Sequence, residues 1–280
     1  RGMPLVATIH DTAAAQDGGD QWLSRFDQRL AQLVERRLYR LGYDHVLTVS
    51  TAVRDDLVQR FGLRAERVSA VPNGVDLVAI AATPPDPQAA DLVFVGRLIP
   101  HKHPADLLQA AAVLNRQRQQ QGLPPLRLKL VGGGPLDSTL RQQAQALGLA
   151  AHVLHWGEVA AHDEVIAHLK SAQLLVLPST REGFGLVLAE AMAAGTAVLA
   201  YDIAAVRETL GTELAELLVP AGDVQALAAK LQLLLADADR RAALVATGQS
   251  RVAAHFDLRQ FAQRVVAVYR QIMAARSGGN

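Results

Sequence analysis

The sequence predicts an α/β protein of two doubly wound domains that face each other across a cleft. Three observations carry this. From Pro4 to Gly195, short apolar runs that read as buried strands alternate with amphipathic stretches of helical period. That is the pattern of parallel sheets flanked by helices. The alternation breaks once, at residues 79–90 (AIAATPPDPQAA), where three prolines and no periodicity read as a linker. Finally, 280 residues, half of them hydrophobic and a fifth charged, suffice for two cores. The expected divisions are 1–78 for the first domain, 79–90 for the linker, 91–257 for the second domain and 258–280 for a closing helix.

The elements follow in order. Pro4 to Ile9 is a strand delivering His10 and Asp11 at its carboxyl end, the edge at which open α/β sheets bind ligands. A histidine that merely caps a strand end would look the same. Trp22 to Leu41 has Leu23, Phe26, Leu30, Leu33, Val34 and Leu38 at helical spacing. His45 to Val49 is a strand, Ser50 an N-cap for a helix to Phe61, and Gly62 its C-terminal stop. Val68 to Val71 is a short strand before the turn Pro72-Asn73-Gly74-Val75-Asp76.

Beyond the linker, Leu92 to Val95 is a strand, and the loop Gly96 to His103 leads to a helix opened by Pro104. Arg97 and Lys102 share that loop, where two cations would neutralise a diphosphate or simply sit in solvent. Leu126 to Val131 runs into Gly132-Gly133-Gly134-Pro135, a tight turn lacking the last glycine of the dinucleotide fingerprint. His152 to His155 is a strand followed by the loop Trp156-Gly157-Glu158-Val159, a short helix at 161–170 and the strand Leu174 to Leu177. After Gly195 come a strand over Thr196 to Ala200, Glu208 in a loop or helix start, and helices at 223–236, 238–254 and 258–275.

Pro178 to Gly195 organises the second domain. A buried strand turns through Pro178, Gly183 and Gly185 into a small-residue helix. Glu182 and Glu190 lie on it with seven residues between them. At ~1.5 Å per residue, a helical path separates them by about 12 Å, beyond the roughly 5–9.5 Å of a glycosidase pair. They are placed to hold different ends of one extended ligand. The glycines, expected at positive φ, would let a phosphate approach the helix N-terminus, and a carboxylate within the helix suits a vicinal diol. A nucleotide diphosphate sugar has these parts. A plain strand–helix unit with two surface glutamates explains the stretch equally well.

Composition limits the alternatives. A net charge of +1 gives no argument for a nucleic-acid partner. The absence of cysteine excludes disulfides, thiolate catalysis and cysteine-based zinc sites. Four lysines (102, 129, 170 and 230) stand against 24 arginines. No apolar run reaches the roughly 18–20 residues of a membrane span, and a start at Arg1 almost directly before a strand suggests part of a longer protein. Asp237-Ala238-Asp239 spells an acid-x-acid metal pattern but falls between two C-terminal helices, as a cap would. The nine histidines do not cluster with carboxylates at ligand spacing, so no metal is expected.

Taken together, Val49-Ser50, Pro72 to Asp76, Val95 to Leu98 with Lys102, Val131 to Pro135, Pro178-Ser179 and the Glu182/Glu190 pair resemble glycosyltransferase family 4. Those are retaining, metal-independent transferases of the two-Rossmann-domain GT-B architecture. The resemblance runs from about His10 to the C-terminus and implies that the first domain, on the acceptor side, is incomplete here. It implies that Arg97 and Lys102, beside Gly96, bind the donor diphosphate. Glu182 and the backbone of Gly183, Phe184, Gly185 and Leu186 would hold the donor sugar, and Glu190 the ribose. Trp156, Gly157 and Val159 would flank the base, and His10 would face the sugar across the cleft.

The resemblance further implies transfer of a hexosyl group to a sugar or lipid-linked acceptor, with no cofactor beyond the nucleotide-sugar donor. It implies a cytoplasmic location with peripheral contact at the inner membrane face through the first domain. The sequence departs from the family in lacking the first domain's glycine-rich loop. It also reads Ala204-Ala205-Val206-Arg207-Glu208 where the family often has Gly-Gly-Val-Pro-Glu, and it has His103 in place of a glycine. The helix from Leu258 to Ala275 resembles the segment that packs back on the first domain. Alternative readings are a nucleotide-sugar-binding fragment that does not turn over, and an epimerase or a phosphorylase of the same architecture. A phosphorylase would need one of the four lysines as a Schiff base with pyridoxal phosphate.

Overall fold

The computed structural model describes residues 3–12, 34, 37 and 42–277. The helix expected over Trp22 to Leu41 lies outside them, save Val34 and Arg37, which are both helical. Two all-parallel sheets carry the fold. The first has the order β1 (Val6–Ile9), β2 (His45–Thr48), β3 (Val68–Ala70). The second contains β4 (Ala90–Val95), β5 (Leu128–Val131), β6 (Val153–Gly157), β7 (Ala172–Leu177), β8 (Ala197–Tyr201) and β9 (Leu218–Val219), in the order β6-β5-β4-β7-β8-β9. Strand order therefore reverses between β4 and β7. In a doubly wound sheet the ligand crevice lies outside the carboxyl ends of the strands at that point.

The helices are α1 (Thr51–Gln59), α2 (Leu77–Ala82), α3 (Pro104–Gln120), α4 (Asp137–Ala146) and α5 (His162–Lys170). They continue with α6 (Leu186–Ala194), α7 (Ala204–Leu210), α8 (Val224–Ala236), α9 (Ala238–His255) and α10 (Leu258–Ser277). Most expected boundaries fall within two residues of these. Ser50 caps α1, its Oγ accepting from Val53 N–H. Asp237 caps α9 and accepts from Arg240 N–H, so the acid-x-acid pattern is a cap. Glu208 lies inside α7.

The expected linker needs correction, because its first residues are helical. Asp76 Oδ1 accepts from Val78 and Ala79 N–H and starts α2, which ends at Thr83 in extended conformation. Pro84 follows directly and disfavours helical geometry in the residue before it. The irregular stretch is thus 83–89, and it is tied to the second lobe. Lys170 Nζ donates to the carbonyls of Ala81 (3.2 Å) and Thr83 (2.6 Å), and Asp86 N–H donates to Ala167 O (3.0 Å). Lys129, fully buried in β5, donates to Asp86 Oδ1 (2.9 Å) and Ser171 Oγ (2.7 Å). Burial alone would raise Asp86, but the bonds from Lys129 and Gln88 N–H and the Lys129 charge bring it below the usual carboxylate range.

Val75 and Ile80 are buried in the large core of the second lobe, whereas Val46, Val53, Leu57, Phe61 and Val68 form the small core of the first. Where the chain enters the second lobe, at Val75, it runs beside the segment that leads into α10. Val75 N–H donates to Phe256 O and Leu258 N–H to Val75 O, at 2.8 and 3.0 Å, in a parallel bridge. A Cβ on Gly74 would stand 2.7 Å from Leu258 Cα, which forbids a side chain there.

Beside Asp86, His168 is buried with its ring 4.4 Å from that of His155. Burial, then the His155 and Lys129 charges, push its pKa below 6.5, against the pull of Asp86 and Glu164. Folded His168 therefore binds a proton less readily than unfolded His168. The stability it contributes is present above about pH 6.5 and is lost as pH falls toward the lowered value. We expect the guanidinium unfolding midpoint to fall between pH 7 and pH 5, with His168→Gln flattening that dependence. An unchanged slope in the variant would contradict this account.

Candidate active site

The two loops at the switch point are built on glycine and bonded to each other. After β4, Gly96 N–H donates to Val131 O and Leu98 N–H to Gly133 O, at 3.0 and 2.8 Å. The triple-glycine turn after β5 must therefore lie flat against this loop. At Gly132 (φ +138°) a Cβ would stand 2.0 Å from Gly96 O, and at Gly134 (φ +156°) 2.5 Å from Leu98 O. The turn shapes the loop that carries Arg97 and Lys102. After β7, Thr180 N–H donates to His101 O at 2.9 Å, which joins the two loops.

This juxtaposition brings Lys102 and Glu182 together from 80 residues apart. Lys102 Nζ lies 2.6 Å from Glu182 Oε1, with the carboxylate side chain only 9% exposed. Arg97 points outward, exposed and without an ion pair among the described residues. His103, next to Lys102, has φ +46° and ψ +45°, the one described non-glycine residue at positive φ. A glycine would take that conformation without steric cost, which explains the residue expected there. Asp106 Oδ2, 3.4 Å from His103 Nδ1, and the edge of the Tyr201 ring hold it.

Gly185 (φ +81°) starts α6, and no side chain caps that helix. The first-turn N–H groups of Leu186 and Val187 thus have no intrahelical acceptor and lie at the positive dipole end. Gly183 departs from expectation: it is not at positive φ, and its requirement is space. A Cβ there would stand 1.8 Å from the carbonyl oxygen of His10, in the other lobe. The His10 side chain is exposed. Its neighbour Asp11 forms an ion pair with Arg181 at 3.0 Å. Burial pushes Asp11 above the usual carboxylate range, opposed by Arg181, the Thr12 N–H and Lys102.

Glu190 is buried in α6 with His162 Nε2 3.4 Å from Oε1. Burial raises its pKa, and His162 opposes the rise. It lines a cavity of about 440 Å³ with Val75, Asp76, Ile80, His162 and Leu186. Phe184 places its ring in the core against Phe256, leaving only its backbone near the loop surface. In the loop after β6, the Trp156 indole donates to Asp137 (2.7 Å) and carries Arg141 on one ring face (4.8 Å). Gly157 (φ +139°) accepts from Gly132 N–H, and Val159 packs partly buried on the core. Among the described residues, no three His, Asp or Glu side chains converge as metal ligands would.

Sequence reasoning missed Arg181 with Asp11, His162 with Glu190, and Thr209. Arg181 sits inside the most legible motif, but only the docked lobes show what it meets.

Residues 79–251 match the model of the family described as glycosyl transferases group 1, and residues 1–79 that of glycosyltransferase family 4. The chain belongs to this glycosyltransferase family. Among its relatives is a glycogen synthase of Mycobacterium tuberculosis, 31% identical over 99% of this chain and 64% of the relative. Another is a D-inositol 3-phosphate glycosyltransferase of Thermobispora bispora, 32% identical over 97% of this chain and 66% of the relative. The chain thus spans about two thirds of their length or slightly less. Of solved structures, sucrose-phosphate synthase from Thermosynechococcus elongatus is similar at 26% identity, with a TM-score of 0.76 over 96% of this chain and 68% of that one. Anabaena HepE, solved with UDP and glucose, shares the fold at 23% identity, with a TM-score of 0.79 over 96% and 72% of the two chains.

The lobes as docked leave no room at position 183. We expect Gly183→Ala to keep the melting temperature nearly unchanged while raising the radius of gyration in small-angle scattering, because the cleft cannot close. An unaltered scattering profile would refute the close contact.

Proposed function

We propose that the chain is the larger part of a retaining hexosyltransferase that takes its sugar from a nucleotide diphosphate donor. The observation that carries this reading is the Lys102–Glu182 pair at the strand-order reversal, between an uncapped helix N-terminus and the backbone of His10. A diphosphate at the start of α6 would meet two free N–H groups, Lys102 and the outward-pointing Arg97. These charges would oppose the negative charge that builds on the leaving phosphate and so lower the barrier, the task a metal performs elsewhere. Once the diphosphate engages Lys102, Glu182 is released to accept hydroxyl hydrogens of the donor sugar.

In the reaction we envisage, the bond from the anomeric carbon to the phosphate oxygen breaks while an acceptor hydroxyl attacks from the same face. The hydroxyl proton passes to the departing phosphate oxygen, so no protein nucleophile is required. Glu190 would accept from the ribose diol, and Val159 and Gly157 would border the base. Trp156 would serve there through position rather than stacking, since one ring face is covered by Arg141. Of the nucleotides, UDP is favoured, because similar folds were solved with UDP or UDP-glucose. The acceptor would be a sugar or lipid-linked hydroxyl. No helix among the described residues is long and apolar enough to cross a membrane; a lipid-linked acceptor would be met by peripheral contact.

Calorimetric titration with UDP, GDP and ADP tests the donor site. We expect one nucleotide, UDP, to bind. Glu190→Ala and Arg97→Ala should each weaken it by about tenfold or more, the worth of a hydrogen bond to a charged group. Proton NMR of the product should show the donor's anomeric configuration retained. Failure of the full-length protein to bind any of the three would overturn the reading.

A further inference from the structure

The start of α1 leaves backbone N–H groups without intrahelical acceptors. Ser50 serves one of them, on Val53. The other lobe serves two more. Thr51 N–H donates to Oε1 and Oε2 of Glu208 at 2.9 and 2.8 Å, and Ala52 N–H to Oε2 at 3.3 Å. The Thr51 hydroxyl adds a bond to Oε1 at 3.1 Å. A carboxylate at the positive end of a helix dipole makes each of these bonds charge-assisted.

The backbone that bears Glu208 is itself fixed. Arg251 donates from Nη2 to the Glu208 carbonyl (2.8 Å) and from Nε to the Thr209 carbonyl (2.7 Å). Thr209 Oγ1 donates to the Phe184 carbonyl at 2.5 Å. Phe184 follows Gly183, whose backbone lies against His10 O. The path from α1 through Glu208, Thr209, Phe184 and Gly183 to His10 is therefore a circuit that crosses the cleft twice.

We infer that Glu208 is a positioning residue: by capping α1 across the cleft, it fixes the closed register in which His10 meets the Glu182–Gly183 loop. It acts on the site through the lobes rather than as a catalytic residue. The next residue, Thr209, couples lobe closure to the loop that carries Glu182 through its hydroxyl bond to the Phe184 carbonyl. Separation of the lobes returns the Thr51 and Ala52 donors to water, so an acceptor at 208 favours closure alongside the Asp11–Arg181 ion pair. Glutamine keeps one acceptor oxygen there and alanine none.

The chain contains no cysteine, so cysteines placed at the exposed residues Gln59 and Gln225 can be spin-labelled without background. Double electron–electron resonance then reads the distance between the lobes in the absence of any ligand. We expect a single narrow distribution with Glu208, added longer distances with Glu208→Ala, and a largely restored distribution with Glu208→Gln. Thr51→Ala should resemble the parent, since the backbone donors survive. In transfer kinetics, which rest on the function proposed above, Glu208→Ala should lower kcat/KM by about tenfold, the loss expected for a helix cap, with Glu208→Gln regaining most of it. A Glu208→Ala distribution identical to the parent's would overturn the inference, as would lost transfer with unchanged distances. Absence of nucleotide binding would sink the transfer reading and leave the distance result standing.

Discussion

The reversal of strand order between β4 and β7 is the constraint on which the rest of the site depends. Two strands separated by some 80 residues of chain become hydrogen-bonded neighbours with their carboxyl ends aligned. The loops leaving them have nowhere to go but across one another, and the Thr180 to His101 bond records that meeting. A lysine from one loop and a glutamate from the other then face each other in a position partly shielded from water. Neither would stand there alone, because a buried, unpaired charge is strongly destabilising. The pair is thus both a product of topology and a poised source of charge for an anionic ligand.

Glycine has two distinct tasks in this arrangement. At 132 and 134 it permits backbone dihedrals that a side chain disfavours, and it lets one turn lie flat on the next. At 183 the dihedrals are ordinary, and what matters is the missing Cβ, because another lobe occupies its place. The first task is local and could be anticipated from a run of glycines. The second is visible only when both lobes are docked.

That distinction accounts for what was legible in the sequence. Strands and helices are readable because period and punctuation are local, and the Glu182/Glu190 stretch because strand, glycine turn and helix follow one another without interruption from Ala172 to Ala194. The linker begins later than its sequence suggests, because Asp76, ahead of the prolines at 84, 85 and 87, is an N-cap that begins a helix through residues 79–82. Arg181 with Asp11, and Glu208 with Thr51, could not be found by any local pattern. Their partners stand about 170 and 157 positions away, and nothing in composition links them. His103 departs from the family pattern in sequence, and the left-handed backbone behind that departure is visible only in the structure.

The pairing of Val75 with Asp257 has a mechanical consequence. Lys170 and Lys129 bind the segment after Thr83 to the second lobe, and α2 packs there too, so the proline-rich stretch is no place for bending. On the other side of α2, Val75 is held by backbone bonds to Phe256 and Leu258, at the start of the last helix. Any opening of the cleft would therefore have to bend the chain at or before Gly74, where the backbone of Leu258 leaves no room for a side chain.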